Sequence, residues 1–134
     1  ETSISKESFR AASVAAGAVC RGIDHVMAGT HVKRVFVAAR PPGHHAGPSG
    51  LVVSPHGQES PSQGFCLLNS VAIGAAYARY NYRGILDRIA VVDFDAHHGD
   101  GTLACVLNLA PRTQIKQLGY GASITQPSYK PWLD

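Results

Sequence analysis

The sequence predicts an α/β fold built on a parallel sheet, and three features of its 134 residues indicate this. Two short apolar runs, at residues 34–39 and 89–92, have the length and composition of strands buried on both faces. Between them, residues 68–80 carry the small apolar residues of a packed helix. This strand–loop–helix–strand order is typical of a βαβ unit, whose strands run parallel as near neighbours.

The remaining segments give two further helices and a long loop. Apolar residues recur at helical spacing after Ser5, a suitable N-cap, and Gly29 is a suitable stop. A short helix is predicted over residues 103–109 and a strand over 113–118. Residues 46–63 are rich in Gly, Pro and Ser, so we expect a loop insertion there.

Composition excludes several classes of protein. With 45% hydrophobic and 16% charged residues, the chain is globular and neither disordered nor a coiled coil. A net charge of +3, scattered along the chain, does not favour direct nucleic-acid binding. No apolar run is long enough to span a bilayer, so we expect no membrane partner. Three widely spaced cysteines, Cys20, Cys66 and Cys105, fit reduced thiols in an intracellular protein.

A cluster of ionisable residues follows the second apolar run directly. The sequence there is D-F-D-A-H-H-G-D-G, and strand alternation would project Asp93, Asp95 and His97 to one side. A carboxylate and an imidazole two residues apart at a strand end are well placed to hold a divalent metal. The alternative is structural, with Asp100 as an ordinary helix entry. One cap needs only one acid, however, and unpartnered buried charges are costly.

Two histidines follow the first apolar run. Residues 40–43, R-P-P-G, break the strand, and His44 and His45 come next. Alone, this pair favours a turn over a metal-binding or acid–base role. Both polar clusters, however, fall at the carboxyl ends of the predicted parallel strands, where open α/β sheets place their active sites. We therefore expect the two clusters to meet on one edge of the sheet.

Together these residues have the composition of a metal-assisted hydrolase. A catalytic zinc site usually has three protein ligands and an open position for water. Asp95 and His97 offer two ligands, and His44 and His45 offer a general base. Hydrolysis of an acyl bond is favoured over phosphoryl transfer, because no glycine-rich phosphate loop with a lysine is present.

Three motifs resemble those of the zinc-dependent histone deacetylases, in the same order. They are R-P-P-G-H-H-A at 40–46, G-F-C-L-L-N at 64–69 and D-F-D-A-H-H-G-D-G-T at 93–102. The resemblance is to a class II-like member, with residues 1–134 as a central segment of the catalytic domain. It implies a three-layer arginase/deacetylase-like α/β fold and hydrolysis of N-acetyl-lysine.

The resemblance also implies roles for four catalytic residues. His45 matches the general base, and His44 matches its electrostatic partner and a proton donor. Asp93 matches the acid that hydrogen-bonds His44. Asp100 matches the acid that holds His45.

Four further residues match binding positions of the family. Asp95 and His97 match zinc ligands, and the chain around Asp93, Asp95 and His97 matches part of a structural potassium site. Phe65 matches an aromatic wall of the acetyl-lysine tunnel. Gly64 matches a backbone position beside the substrate.

The resemblance leaves three interpretations open. The first is a lysine deacetylase of histones or other proteins, in the nucleus and/or cytoplasm, with a co-repressor complex as partner. In that family a further aspartate ligand and a tyrosine follow well downstream, and no residue up to Asp134 matches them, so we expect the 134 residues alone to be inactive. The second is a catalytically dead truncated form. The third is an acetylpolyamine amidohydrolase-like enzyme.

Overall fold

The computed structural model describes residues 2–50 and 64–108, which contain three α-helices. α1 spans Ser8–Met27, α2 spans Ser70–Asn81 and α3 spans Asp100–Asn108. All three predicted helices are therefore present, with shifted ends. The predictions for the strand at 113–118, and for all but the first five residues of the loop at 46–63, lie outside the described residues. None of the described helices is long and apolar enough to cross a membrane.

α1 begins later than the sequence predicted. The hydroxyl of Ser5 accepts the N–H of Glu7 at 3.3 Å and lies 3.2 Å from the Ser8 hydroxyl, so Ser5 closes a local turn and does not cap the helix. Glu7 occupies the N-cap position without a side-chain cap. The helix ends at Met27, and Gly29 adopts the left-handed conformation with φ 73°.

α1 and α2 pack closely because small residues line their contact. A Cβ on Gly74 of α2 would lie 2.6 Å from Cγ1 of Val19 on α1. Beside this contact, the carboxylate of Asp24 accepts the hydroxyl groups of Tyr77 at 2.9 Å and Tyr82 at 2.7 Å. The bond from Tyr82 is the main cause that lowers the pKa of Asp24, and the same bond raises the pKa of Tyr82 to about 12. The two helices thus share an apolar contact and a pair of hydrogen bonds from Tyr77 and Tyr82 to Asp24, which we call the clamp.

The two predicted strands lie against this helical pair, but no strand pairing joins them. Within the described residues, no ladder hydrogen bond links 34–39 to 89–92. Val35 and Val37 contact α1 near Gly22, and both segments line an open apolar groove of about 640 Å³ beside α1 and α2. The parallel sheet therefore remains a prediction, while one helical layer and the segments beside it are described.

The described core is made of small side chains. Its buried apolar residues are Ala12, Ala15, Ala16, Ala46, Cys66, Ala78 and Ala104. Phe36 and Phe94, by contrast, are 93% and 96% exposed. All three cysteines are free thiols, as the sequence predicted.

Candidate active site

The paired histidines sit on a tight turn held against α2. The N–H of Ala46 donates to the carbonyl of Gly43 at 2.9 Å and closes the turn. A Cβ on Gly43 would lie 2.6 Å from the carbonyl oxygen of Leu68, so only glycine fits this approach. The turn brings the rings of His44 and His45 to a centroid separation of 4.1 Å, tilted by 52°.

His44 is paired with Asp93. Its Nδ1 lies 2.9 Å from Oδ2 of Asp93, and since an ionised carboxylate only accepts, Nδ1–H is the donor. The other oxygen of Asp93 accepts the N–H of Asp95 at 3.1 Å. Partial burial acts to raise the pKa of Asp93, but the hydrogen bonds from His44 and Asp95 outweigh it and the pKa is lowered. Asp93 is therefore held as a carboxylate beside Nδ1 of His44.

His45 is paired with Asp100 in the same way. Nδ1 of His45 lies 2.7 Å from Oδ1 of Asp100, the first residue of α3. That oxygen also accepts the N–H of Gly101 at 3.0 Å, so the carboxylate lies at the positive end of the helix dipole. Asp100 is thus both a helix-entry acid and the partner of a histidine, which joins the two alternatives left open by the sequence.

Asp95 and His97 form a third carboxylate–imidazole pair beside these two. Oδ1 of Asp95 accepts the backbone N–H of His97 at 2.8 Å and lies 3.0 Å from its Nδ1. Hydrogen bonds from the backbone and then the ring of His97 lower the pKa of Asp95. The ring of His45 lies 6.3 Å from that of His97, centroid to centroid. One bound water or carbonyl group could bridge such a separation.

The Asp95–His97 pair fits two positions of a zinc site. Two ligands at about 2.0–2.2 Å in tetrahedral geometry have donor atoms roughly 3.3 Å apart, close to the 3.0 Å between Oδ1 of Asp95 and Nδ1 of His97. Both side chains are substantially exposed, at 49% and 79%, and are accessible to an ion. In the described ranges, no group of three or more His, Cys, Asp or Glu side chains forms a complete metal site.

The segment at Gly64 and Phe65 lies directly against His45. Both residues have positive φ, 52° and 65°, which is unusual for phenylalanine and typical of strained functional segments. The N–H of Phe65 donates to the hydroxyl of Thr2 at 3.1 Å, and its ring is 65% exposed. A Cβ on Gly64 would collide with Cδ2 of the His45 ring. An exposed aromatic ring is thus positioned next to a catalytic candidate.

Comparison with known proteins adds a decisive observation. The sequence model of the family described as "Histone deacetylase domain" matches residues 1–112. The chain belongs to the histone deacetylase family. Type-2 histone deacetylase 1 of Dictyostelium discoideum is 56% identical over 102 residues, and polyamine deacetylase HDAC10 of Danio rerio is 41% identical over 97.

These alignments cover most of this chain and little of the relatives. The first covers 76% of this chain and 6% of the relative, and the second covers 72% and 12%. Type-2 histone deacetylase 2 of Dictyostelium discoideum is 49% identical over 102 residues, which are also 6% of its length. The chain therefore spans a small part of the histone deacetylases it matches. Membership of the family implies the arginase/deacetylase fold expected from the sequence.

Every predicted site residue lies in or beside this candidate site. Three segments meet within hydrogen-bonding or van der Waals distance. They are the histidine turn at residues 43–46, the segment 93–100 and the segment Gly64–Phe65. Their catalytic and binding roles stay predictions.

Sequence reasoning missed Asn69 and Thr102, two buried polar residues behind the histidine turn. An asparagine just before a helical pattern is a recognisable N-cap signal for Asn69, whereas no local pattern indicates the position of Thr102.

Proposed function

We propose that the protein to which these residues belong is a zinc-dependent hydrolase that removes acetyl groups from N-acetyl-lysine in histones or other proteins. The observation that supports it best is the meeting of two histidine–carboxylate pairs beside the Asp95–His97 pair. Family membership gives the reaction class, since the named relatives are deacetylases. The geometry supports the role proposed for each residue.

His45 serves as the general base. Because its Nδ1–H donates to Asp100, its Nε2 retains a lone pair and can accept a proton from the attacking water. The nearby negative charge of Asp100 stabilises the imidazolium that results. The backbone of Gly64 packs directly against this ring, because a Cβ there would lie 3.1 Å from Nε2 of His45 and would collide with Cδ2.

His44 serves as the electrostatic partner and proton donor. Its ring lies 4.1 Å from that of His45 and donates through Nδ1 to the Asp93 carboxylate. After water adds to the acetyl carbonyl, the C–N bond breaks and the departing amine nitrogen must gain a proton. An imidazolium of this pair supplies that proton, and acetate and free lysine are the products.

Asp95 and His97 would hold the zinc ion. When bound, zinc supplies a Lewis acid for the acetyl carbonyl and lowers the pKa of a coordinated water. The pair's exposed, closely spaced donor atoms support this assignment. A structural potassium ion near Asp93, Asp95 and His97 and a co-repressor complex as partner are further parts of the proposal.

Acetylated polyamines are a second candidate substrate. The similar proteins include a type-2 histone deacetylase at 56% identity and a polyamine deacetylase at 41% identity. Phe65 is 65% exposed and would contact the acyl-amine chain of either substrate. Higher identity to the former favours a protein substrate.

Turnover by the complete protein tests the function and the substrate together. An acetyl-lysine peptide and an acetylated polyamine are compared by kcat/KM, with and without a zinc chelator. We expect the peptide to be preferred and its hydrolysis to stop on chelation. A preference for the polyamine would transfer the function to the second candidate, and chelator-insensitive hydrolysis would refute the zinc mechanism.

Zinc titration by calorimetry tests the assignment of His97 as a ligand. His97→Ala should weaken zinc binding by more than the roughly 10- to 100-fold typical of losing an outer-shell partner. His98→Ala is the matched control, because it removes the adjacent exposed histidine. Equal affinity of the two variants would contradict the assignment of His97.

We propose that the 134 residues alone hydrolyse little substrate. Their described part brings together two ligands, whereas a catalytic zinc site usually has three. Chelator-sensitive turnover by the isolated chain would overturn this proposal, and tight stoichiometric zinc binding would contradict a dead form.

A further inference from the structure

We propose that Asn69 and Thr102 are positioning residues that hold the His45–Asp100 pair in its reactive geometry. The proposal rests on the proposed deacetylase function. It is argued from a buried hydrogen-bond network that joins the histidine turn to the starts of α2 and α3. Asn69 and Thr102 are 6% and 8% exposed.

The amide of Asn69 joins three segments of the chain. Its Nδ2 donates to the carbonyl of Ala46 at 3.1 Å and to Oγ1 of Thr102 at 3.0 Å, while its Oδ1 accepts the N–H of Ala72 at 3.0 Å. This orientation is fixed chemically, because a carbonyl oxygen only accepts and a backbone N–H only donates. One side chain therefore links the residue after His45, the first turn of α3 and the start of α2.

Thr102 joins the first turn of α3 to the histidine turn through its backbone. Its N–H donates to the carbonyl of His44 at 3.0 Å, and its hydroxyl accepts from Asn69. Thr102 lies two residues after Asp100, so these bonds fix the start of α3 against the histidine turn. The His45–Asp100 distance of 2.7 Å depends on that placement.

The two backbones also touch directly at Gly101. A Cβ there would collide with the backbone carbon of His45 and with Ala46. The hydrogen bonds of Asn69 and Thr102 thus act where the two segments are already in van der Waals contact, and a small change there moves His45 relative to Asp100.

Capping of α2 alone does not account for Asn69. An N-cap needs only the acceptor Oδ1, and both hydrogens of Nδ2 are used on other segments. Asn69→Asp separates the two roles, because a carboxylate keeps the acceptor for Ala72 and cannot donate to Ala46. A purely structural residue would change stability and leave turnover per folded molecule unchanged.

The first test measures kcat and KM of the complete protein per zinc-loaded, folded molecule. For Asn69→Asp we expect kcat to fall on the order of 10- to 100-fold, as for small misplacements of a catalytic group, with KM nearly unchanged. Thr102→Val, which loses the hydroxyl, should lower kcat in the same way, and Thr102→Ser should restore it. Equal kcat for the Val and Ser variants, or unchanged kcat in Asn69→Asp, would overturn the proposal.

The second test does not depend on activity. The imidazole Nδ1–H proton of His45, held by Asp100, should give a low-field proton NMR signal, with the His44 proton as internal reference. We expect Asn69→Asp and Thr102→Val to shift or remove the His45 signal and Thr102→Ser to keep it. An unchanged signal in both variants would refute positioning. A shifted signal in a protein whose wild type does not deacetylate would retain positioning and refute the proposed function.

Discussion

Substitution of Gly64 by alanine should impair both catalysis and stability. The new methyl group would overlap Cδ2 of His45 and lie 3.1 Å from Nε2, the nitrogen proposed to accept the proton from water. The ring would have to move by roughly 1 Å to regain van der Waals contact, and a misplacement of that size costs on the order of 100-fold in rate. The positive φ of Gly64 adds about 1–2 kcal/mol of strain for an L-residue.

Two other glycines separate these effects. Gly29 has φ 73° with nothing within 4 Å, so Gly29→Ala carries the strain without the collision. Gly17 lies in α1, is exposed and has nothing within 4 Å, so Gly17→Ala should stabilise the helix by about 0.5–1 kcal/mol. Gly64→Ala therefore reports the strain and the collision together, and Gly29→Ala reports the strain alone. Gly17→Ala carries neither effect.

The assay combines chemical denaturation with kcat/KM in the complete protein. Gly64→Ala should lose at least as much stability as Gly29→Ala, while Gly64→Ala alone should lose activity by the factor given above. If Gly64→Ala kept the activity of Gly29→Ala, the contact between Gly64 and the His45 ring would not exist as described.

The helical pair gives two more predictions. Because hydrogen bonding to Asp24 raises the pKa of Tyr82 from 10.0 to about 12, the unfolded tyrosine ionises first, and stability should fall as the pH rises between these values. Denaturation midpoints across that range should show a smaller fall in Tyr82→Phe, and an equal fall would exclude the clamp. Gly74→Ala would place a Cβ 2.6 Å from Val19, so overpacking of about 1–3 kcal/mol should exceed the helix-propensity gain of about 1 kcal/mol. Chemical denaturation should give a lower free energy of unfolding for Gly74→Ala than for the wild type, and a higher one for Gly17→Ala. A Gly74→Ala variant as stable as the wild type would refute the close contact between the helices.

Local patterns predicted the presence of the helices better than the residues at which they begin and end. The apolar spacing of α1 was sufficient to predict the helix, but Ser5 bonds Glu7 and Ser8 and forms a turn before the helix, so the N-cap assignment was wrong. Several hydroxyl and acid side chains near a helix start can compete for the same N–H groups, and the sequence does not rank them.

The two apolar runs show a different limit. Their composition indicated strands, yet pairing requires a neighbouring segment at the right register, and residues 34–39 and 89–92 carry no ladder between them in the described part. Their contact with α1 and α2 agrees with the predicted layer, whereas the sheet is implied only by the family.

By itself, the sequence determined the histone deacetylase family, the three helices and the residue types available for chemistry, because motifs and helical periods are local properties of the chain. The family resemblance predicted which acid serves which histidine, and only the tertiary structure shows the distances at which these residues meet. His44 pairs with Asp93 across 49 positions and His45 with Asp100 across 55. It also recruited Asn69 and Thr102 to join those segments. Such bonds depend on how the helices and loops close in space, and no local pattern encodes that closure.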